Sequence, residues 1–125
     1  MKILVCGDRL WMDRETIRCR LTDLARENID GYRTWTIIHG AARGADSIAG
    51  EEGKKLGFKV VEFPANWERY GKSAGPLRNL RMLMENPDLV IAFHDDLSKS
   101  RGTAHTVRES RKRGIRVEVI KSASK

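Results

Sequence analysis

The sequence predicts an open α/β domain, a mostly parallel five-stranded sheet with helices on both faces, and two features lead there. Five short apolar runs alternate with four stretches whose apolar residues recur at helical spacing, the pattern of a parallel sheet built with right-handed crossovers. The runs also lack in-out alternation, as expected of strands covered on both faces. A third feature concerns function. The turns after the strands carry glycines and open helices, and unpaired amides at a helix start suit an anion such as phosphate.

Residues 2–6, Lys-Ile-Leu-Val-Cys, form the first strand, which ends at Gly7-Asp8-Arg9. Asp13 caps a helix with Ile17, Leu21, Leu24 and Ala25 on one face, and Gly31 lies just beyond its end. The second strand, about residues 35–39, leads into His39-Gly40-Ala41-Ala42-Arg43-Gly44-Ala45-Asp46, the stretch around which the chain is organised. Its helix carries Ala45, Ile48, Ala49 and Leu56 and stops at Gly57, and residues 58–63 are the third strand. Pro64 opens the longest irregular stretch, residues 64–75, with Asn66, Trp67, Tyr70, Gly71 and Lys72. Loops of this length in compact domains are often functional. The next helix, roughly residues 74–85, turns Leu77, Leu80, Leu83 and Met84 towards the core, and Asn86-Pro87 stops it. Residues 88–93 are the fourth strand and 94–101 a polar loop; Gly102-Thr103 opens the last helix, Gly114 ends it, and residues 115–120 are the fifth strand. The expected domain is residues 1–121, with 122–125 a disordered tail.

A chain of 125 residues is the size of one domain, and 40% hydrophobic with 33% charged residues is a soluble globular balance. No apolar run approaches a membrane span and Met1-Lys2 leads straight into a strand, so no membrane contact and a cytoplasmic location are expected. Cys6 and Cys19 form no CxxC pair and read as reduced core thiols. The net charge of +7 points to an anionic partner, a nucleotide or nucleic acid. The C-terminal cluster of Arg108, Arg111, Lys112, Arg113 and Arg116 reads as a solvated helix face.

In such sheets ligands bind beyond the carboxyl ends of the strands, where the strand order reverses. That rule gathers Gly7, Asp8 and Arg9, the turn from His39 to Asp46, the 64–75 loop and residues 94–103 at one edge. Gly40 and Gly44 allow a sharp turn and close approach of a ligand, and Asp46 caps the helix or accepts hydrogen bonds from a ligand hydroxyl or amine. The alternative is that the glycines only make the turn and Asp46 only caps. Arg78, directly after Gly75-Pro76, can hold a phosphate in a two-pronged fork and Asn79 can read a base or ribose edge; a surface arginine and a local capping amide are the alternative. Gly102 and Thr103 make a further anion-ready helix start. Trp67 and Tyr70 either stack on a planar base or plug the sheet edge. His94-Asp95-Asp96, with His39 and His105, offers ligand types for a divalent cation, but the spacing matches no recognised site. A polar loop is the reading taken, and no metal or cofactor is expected. His39 is counted with the turn it opens, and Ser73 and Ser100 show no nucleophile motif.

As an ordered set, these motifs resemble a known group. Val5-Cys6-Gly7-Asp8-Arg9, His39-Gly40 with Gly44-Ala45-Asp46, Phe63-Pro64-Ala65-Asn66-Trp67, Gly71-Lys72 with Ala74-Gly75-Pro76 and Arg78-Asn79, and Ser100-Arg101-Gly102-Thr103 are similar to the YspA-related branch of the SLOG superfamily. The superfamily includes the cytokinin-activating phosphoribohydrolases and the DNA-processing protein A family. The resemblance implies a Rossmann-like domain that binds nucleotides, their derivatives or nucleic acid, often as a sensor or effector, and it makes a homodimer an expectation. The phosphoribohydrolases carry a PGGxGTxxE motif with a catalytic glutamate. Here the corresponding stretch, Ser100-Arg101-Gly102-Thr103-Ala104-His105-Thr106, keeps the Gly-Thr and lacks that glutamate, and Asn66 stands where this branch often has an aspartate.

Three readings follow. The first is binding of a nucleotide-derived small molecule: amides at Gly7, Gly40, Gly44 and Gly102 hold phosphate with Arg9 and Arg78, while Asp46 and Asn79 fix the ribose or base. The second is a phosphoribohydrolase-type enzyme with Asp46 or His105 as acid or base. The third is single-stranded nucleic-acid binding, suggested by charge.

Overall fold

The computed structural model describes residues 1–123. Five strands, β1 (Lys2–Gly7), β2 (Thr36–His39), β3 (Lys59–Glu62), β4 (Leu89–Phe93) and β5 (Arg116–Ile120), form one sheet in the order β3-β2-β1-β4-β5. Every neighbouring pair is parallel, with Val5 opposite His39 and Gly7 opposite Phe93. The helices are α1 (Arg14–Glu27), α2 (Ala45–Leu56), α3 (Trp67–Tyr70), α4 (Ala74–Leu83) and α5 (Arg101–Lys112). Among the described residues no helix is long and apolar enough to cross a membrane.

Successive strand residues point to opposite faces, so the sheet divides the core in two. On one side Ile3, Val5, Ile37 and Ile91 pack with Ile17 and Leu21 of α1 and Ile48 of α2. On the other, Leu4, Ile38 and Val90 pack with Met82 and Leu83 of α4 and Val107 of α5. The chain lays β1, β2 and β3 outward in one direction and then returns to place β4 on the far side of β1. The crevice of such a sheet therefore opens between the carboxyl ends of β1 and β4.

α1 begins where expected, with the Asp13 carboxylate accepting from the Thr16 amide, and buries the expected face. α2 ends at Gly57 in the left-handed conformation. Several expectations need correction. Residues 64–75 are not irregular: Asn66 caps α3, and a 3-10 turn, Gly71–Ser73, runs on into α4. α4 buries Ala74, Gly75, Asn79, Met82 and Leu83, while Leu77 and Met84 are exposed. Its inward face is the one that borders the sheet edge, where small and polar residues are needed. Cys6 is buried but Cys19 is exposed. In the supposed tail, the Ser122 amide and hydroxyl donate to Asp95 and the Ala123 amide donates to Asp13; residues 124–125 lie outside the described residues.

Candidate ligand-binding site

The site begins at the end of β1. A Cβ built on Gly7 would lie 2.4 Å from the Phe93 carbonyl oxygen and 2.6 Å from the Ala45 Cβ. Glycine there lets the start of α2 seat against the β1–β4 seam, where the Asp8 amide donates to Phe93 O and the Asp8 carbonyl accepts from the Ala45 amide at 3.1 Å. Gly44, at φ +75°, completes this contact, since its Cβ would fall 2.3 Å from Asp8 O. Only glycine meets both demands at low cost.

Asp46 lies inside the first turn of α2, with Gly44 as the N-cap residue. Its carboxylate turns back to accept from the Gly40 amide at 3.0 Å and the Ala42 amide at 3.4 Å. The Gly40 amide is therefore satisfied within the protein rather than left for a phosphate. Burial pushes the Asp46 carboxyl up to about 6, against the pull of the two amides and of Arg78 and Arg9.

Arg78 crosses Gly40 from α4. Its Nη1 donates to Gly40 O at 2.5 Å and its Nε to Asn79 Oδ1 at 2.8 Å. A Cβ on Gly40 would sit 2.5 Å from Arg78 Nη1; this glycine seats the arginine. Asn79, buried, passes the link on by donating from Nδ2 to Gly102 O at 3.4 Å. A continuous chain of polar contacts thus joins the turn after β2 to α4 and the first turn of α5.

α5 is capped by Ser100, whose hydroxyl accepts from the Thr103 amide at 3.1 Å. Gly102 differs from the other glycines discussed. Its φ is not positive and its Cβ would meet nothing within 4 Å.

These pieces border a cavity of about 350 Å³. Its walls take Gly7, Asp8 and Arg9 from the end of β1, Asp46 from α2, Arg78 and Asn79 from α4, and Gly102 and Thr103 from α5. Sequence reasoning missed Lys99, Met82 and Thr106, and weighed His94 only as part of a metal loop; all four line the cavity. His94 was legible as the first residue after a strand, and Thr106 as one helical turn beyond Thr103. The His94 Nδ1 accepts from the Asp96 amide, so the neutral ring carries its proton on Nε2, which lies 3.9 Å from Asp8 Oδ2. Cys6 also borders the space, with burial holding its thiol protonated.

Other expected residues lie elsewhere. His39 is buried beneath α2, its Nδ1 accepting from the Ala41 amide, and it borders a separate cavity of about 220 Å³. A Cβ on Gly50 would come within 2.6 Å of its Nε2. Burial pulls the His39 imidazole pKa below its ordinary value. His105 does not line the main cavity, and its Nδ1 is buried with no partner among the described residues. Gly75 is buried against the Trp67 ring. Trp67 and Gly40 line an adjoining cavity of about 310 Å³. In the His94-Asp95-Asp96 loop, Asp95 accepts from Ser122 and Asp96 from the Ser98 amide and hydroxyl. Among the described residues no group of three or more His, Cys, Asp or Glu side chains is placed to hold a metal ion.

The sequence model described as "YspA, cpYpsA-related SLOG family" matches residues 1–70. The Gene 61 protein of Mycobacterium phage D29 is 39% identical over 121 residues, which cover 93% of each chain. Among solved structures, DNA processing protein A from Streptococcus pneumoniae superposes with a TM-score of 0.74 at 17% identity, over 94% of this chain and 49% of the other. The chain thus spans about half of that protein. The protein TM1055 superposes with a TM-score of 0.62 at 16% identity, over 93% of this chain and 71% of the other. Both show the same α/β fold.

Proposed function

Because the chain belongs to the YspA, cpYpsA-related SLOG family, we propose that it binds a nucleotide or nucleotide-derived ligand between the ends of β1 and β4, with a ligand phosphate at the first turn of α5. The observation that carries this reading is Gly102. A glycine inside a helix costs up to about 1 kcal/mol relative to alanine, and no positive φ or close neighbour within the protein requires one here. It leaves the α5 start open on a cavity that Arg9, Arg78, Lys99 and Arg101 also line. The first-turn amides that Ser100 does not cap, the helix dipole and the basic side chains lining the cavity together select a phosphate.

The anchor is α5 rather than the turn after β2, because Asp46 already occupies the Gly40 and Ala42 amides. The reading is of binding, in a sensor or effector role: of the two candidate acid-base groups, His105 is not among the cavity-lining residues, and Asp46 lines the cavity while accepting both amides on Oδ2.

The test is the melting temperature against nucleoside phosphates, cyclic and ribosylated derivatives, nucleotide sugars and a short single-stranded DNA. A ligand at about 100 times its Kd adds about 2.7 kcal/mol, a rise of several degrees at this size. A selective rise, reduced in Lys99→Ala and Arg101→Ala, supports the proposal. No rise with any small ligand, with a salt-sensitive rise for DNA, overturns it in favour of single-strand binding.

A further inference from the structure

The main cavity and the adjoining one share Arg9, Ala42 and Arg78 as a common wall. The second space, about 310 Å³, is lined beyond that wall by the residues 40–43 turn, Pro64, Ala65 and Trp67. Trp67 is 50% exposed, an unusual state for the largest apolar side chain. Its ring is not loose. Its Cη2 rim meets Gly75, where a Cβ would approach to 3.3 Å, and the Arg9 guanidinium stands over the ring, 5.9 Å from its centroid. Gly75 and Gly40 thus do equivalent jobs, one seating Trp67 and the other Arg78. The intervening turn holds Ala41 at φ +58°, a left-handed conformation unusual for a residue with a Cβ.

From this arrangement we infer that the second cavity is the base subsite of the same ligand: a nucleotide whose phosphate lies at the start of α5 and whose base stacks on Trp67, with Arg9 and Arg78 between them. A half-exposed indole that borders a cavity beside a guanidinium is what a heteroaromatic base recognises, and such stacking tolerates any base because each has a π-face. The inference rests on the phosphate anchor proposed above and adds that the ligand is a base-bearing nucleotide rather than a sugar phosphate.

The experiment is calorimetric titration of the protein with ribose 5-phosphate, the four ribonucleoside 5′-monophosphates and a short oligothymidylate, repeated for Trp67→Ala, Trp67→Phe and Lys99→Ala. At least one nucleoside monophosphate is expected to bind about tenfold or more tighter than ribose 5-phosphate. Trp67→Ala should abolish that advantage and leave ribose 5-phosphate affinity unchanged; Trp67→Phe should keep part of it. Lys99→Ala should weaken both by a similar factor. If every monophosphate binds no better than ribose 5-phosphate, or if Trp67→Ala weakens both equally, the base subsite is wrong and the phosphate anchor survives. If only the oligothymidylate binds, both readings fall.

Discussion

A methyl group at Gly7 would meet the Phe93 carbonyl oxygen at 2.4 Å, whereas one at Gly102 would meet nothing. Gly7→Ala must therefore push α2 or β4 away and should destabilise the fold by about 1–3 kcal/mol, the range for overpacking. Gly102→Ala should instead raise the stability of the unliganded protein by a few tenths to about 1 kcal/mol while weakening nucleotide binding. Urea denaturation of both variants, with a ligand titration of the second, checks the pair. A destabilised Gly102→Ala would show that the glycine answers an internal need. The Asp46 carboxyl makes a second prediction. Its folded value of about 6 lies above the ordinary 3.8, so folding favours the protonated form. That contribution is fully present below about pH 4 and is lost as pH rises through about 6. The difference amounts to about 3 kcal/mol on the rule of 1.36 kcal/mol per pKa unit. Asp46→Asn should flatten the loss between pH 4 and 7 in denaturation midpoints measured across that range. Asp13, Glu109 and Glu118 have the opposite sign. Hydrogen bonds hold their carboxyls below the ordinary range, so their contribution disappears only as pH falls further.

α5 ties stability to the proposed phosphate site at one end. Ser100 caps it through the Thr103 amide and also borders the cavity, so Ser100→Ala should cost about 1 kcal/mol of stability, as for other N-caps. It should lower phosphate affinity as well, by disordering the first turn. Chemical denaturation and titration read the two effects separately. An unchanged affinity with the expected loss of stability would place the phosphate elsewhere. α4 matters through its face rather than its length. By turning Ala74, Gly75 and Asn79 inward and leaving Leu77 and Met84 outside, it supplies the seats for Trp67 and for the link to Gly102. α1 is held across α2 by Arg14, whose two terminal nitrogens reach Glu52 and Glu51 at 2.7 and 2.8 Å. That clamp ties the start of α1 to the middle of α2.

The strand order β3-β2-β1-β4-β5 brings elements far apart in sequence to one edge. Arg9, Arg78 and Arg101 meet there, around one cavity. The net charge of +7 acts on top of this geometry and raises the local concentration of any anion. The two kinds of partner differ in how salt acts on them. An oligonucleotide loses affinity with a log–log slope of about −0.7 for each phosphate contacted. A mononucleotide held at one phosphate should show a slope no steeper than about −1 to −2. Titrations at several salt concentrations measure this directly, and a slope far steeper for the tightest ligand would move the site from a pocket to a strand-binding surface.

The alternation of apolar runs with helical stretches was enough to read the sheet, the α1 and α2 faces and the Gly57 stop, because periodicity and capping are local properties. The edge at which the glycine-bearing turns gather followed too, since it depends on topology alone. Local signals failed where two distant segments compete for one group. Nothing near Gly40 in sequence reports that Asp46 takes its amide or that Arg78 lies across it, and nothing near Gly75 reports Trp67 packed on it. Gly40, read as part of a phosphate-binding turn, is a seat for Arg78, and Gly75 is one for Trp67. Gly102 carries the proposed anchor, and His94, Lys99 and Thr106 join the cavity wall. Sequence determined which residue types gather at the edge; only tertiary packing decided which of their hydrogen-bonding groups are already satisfied inside the protein and which remain for a ligand.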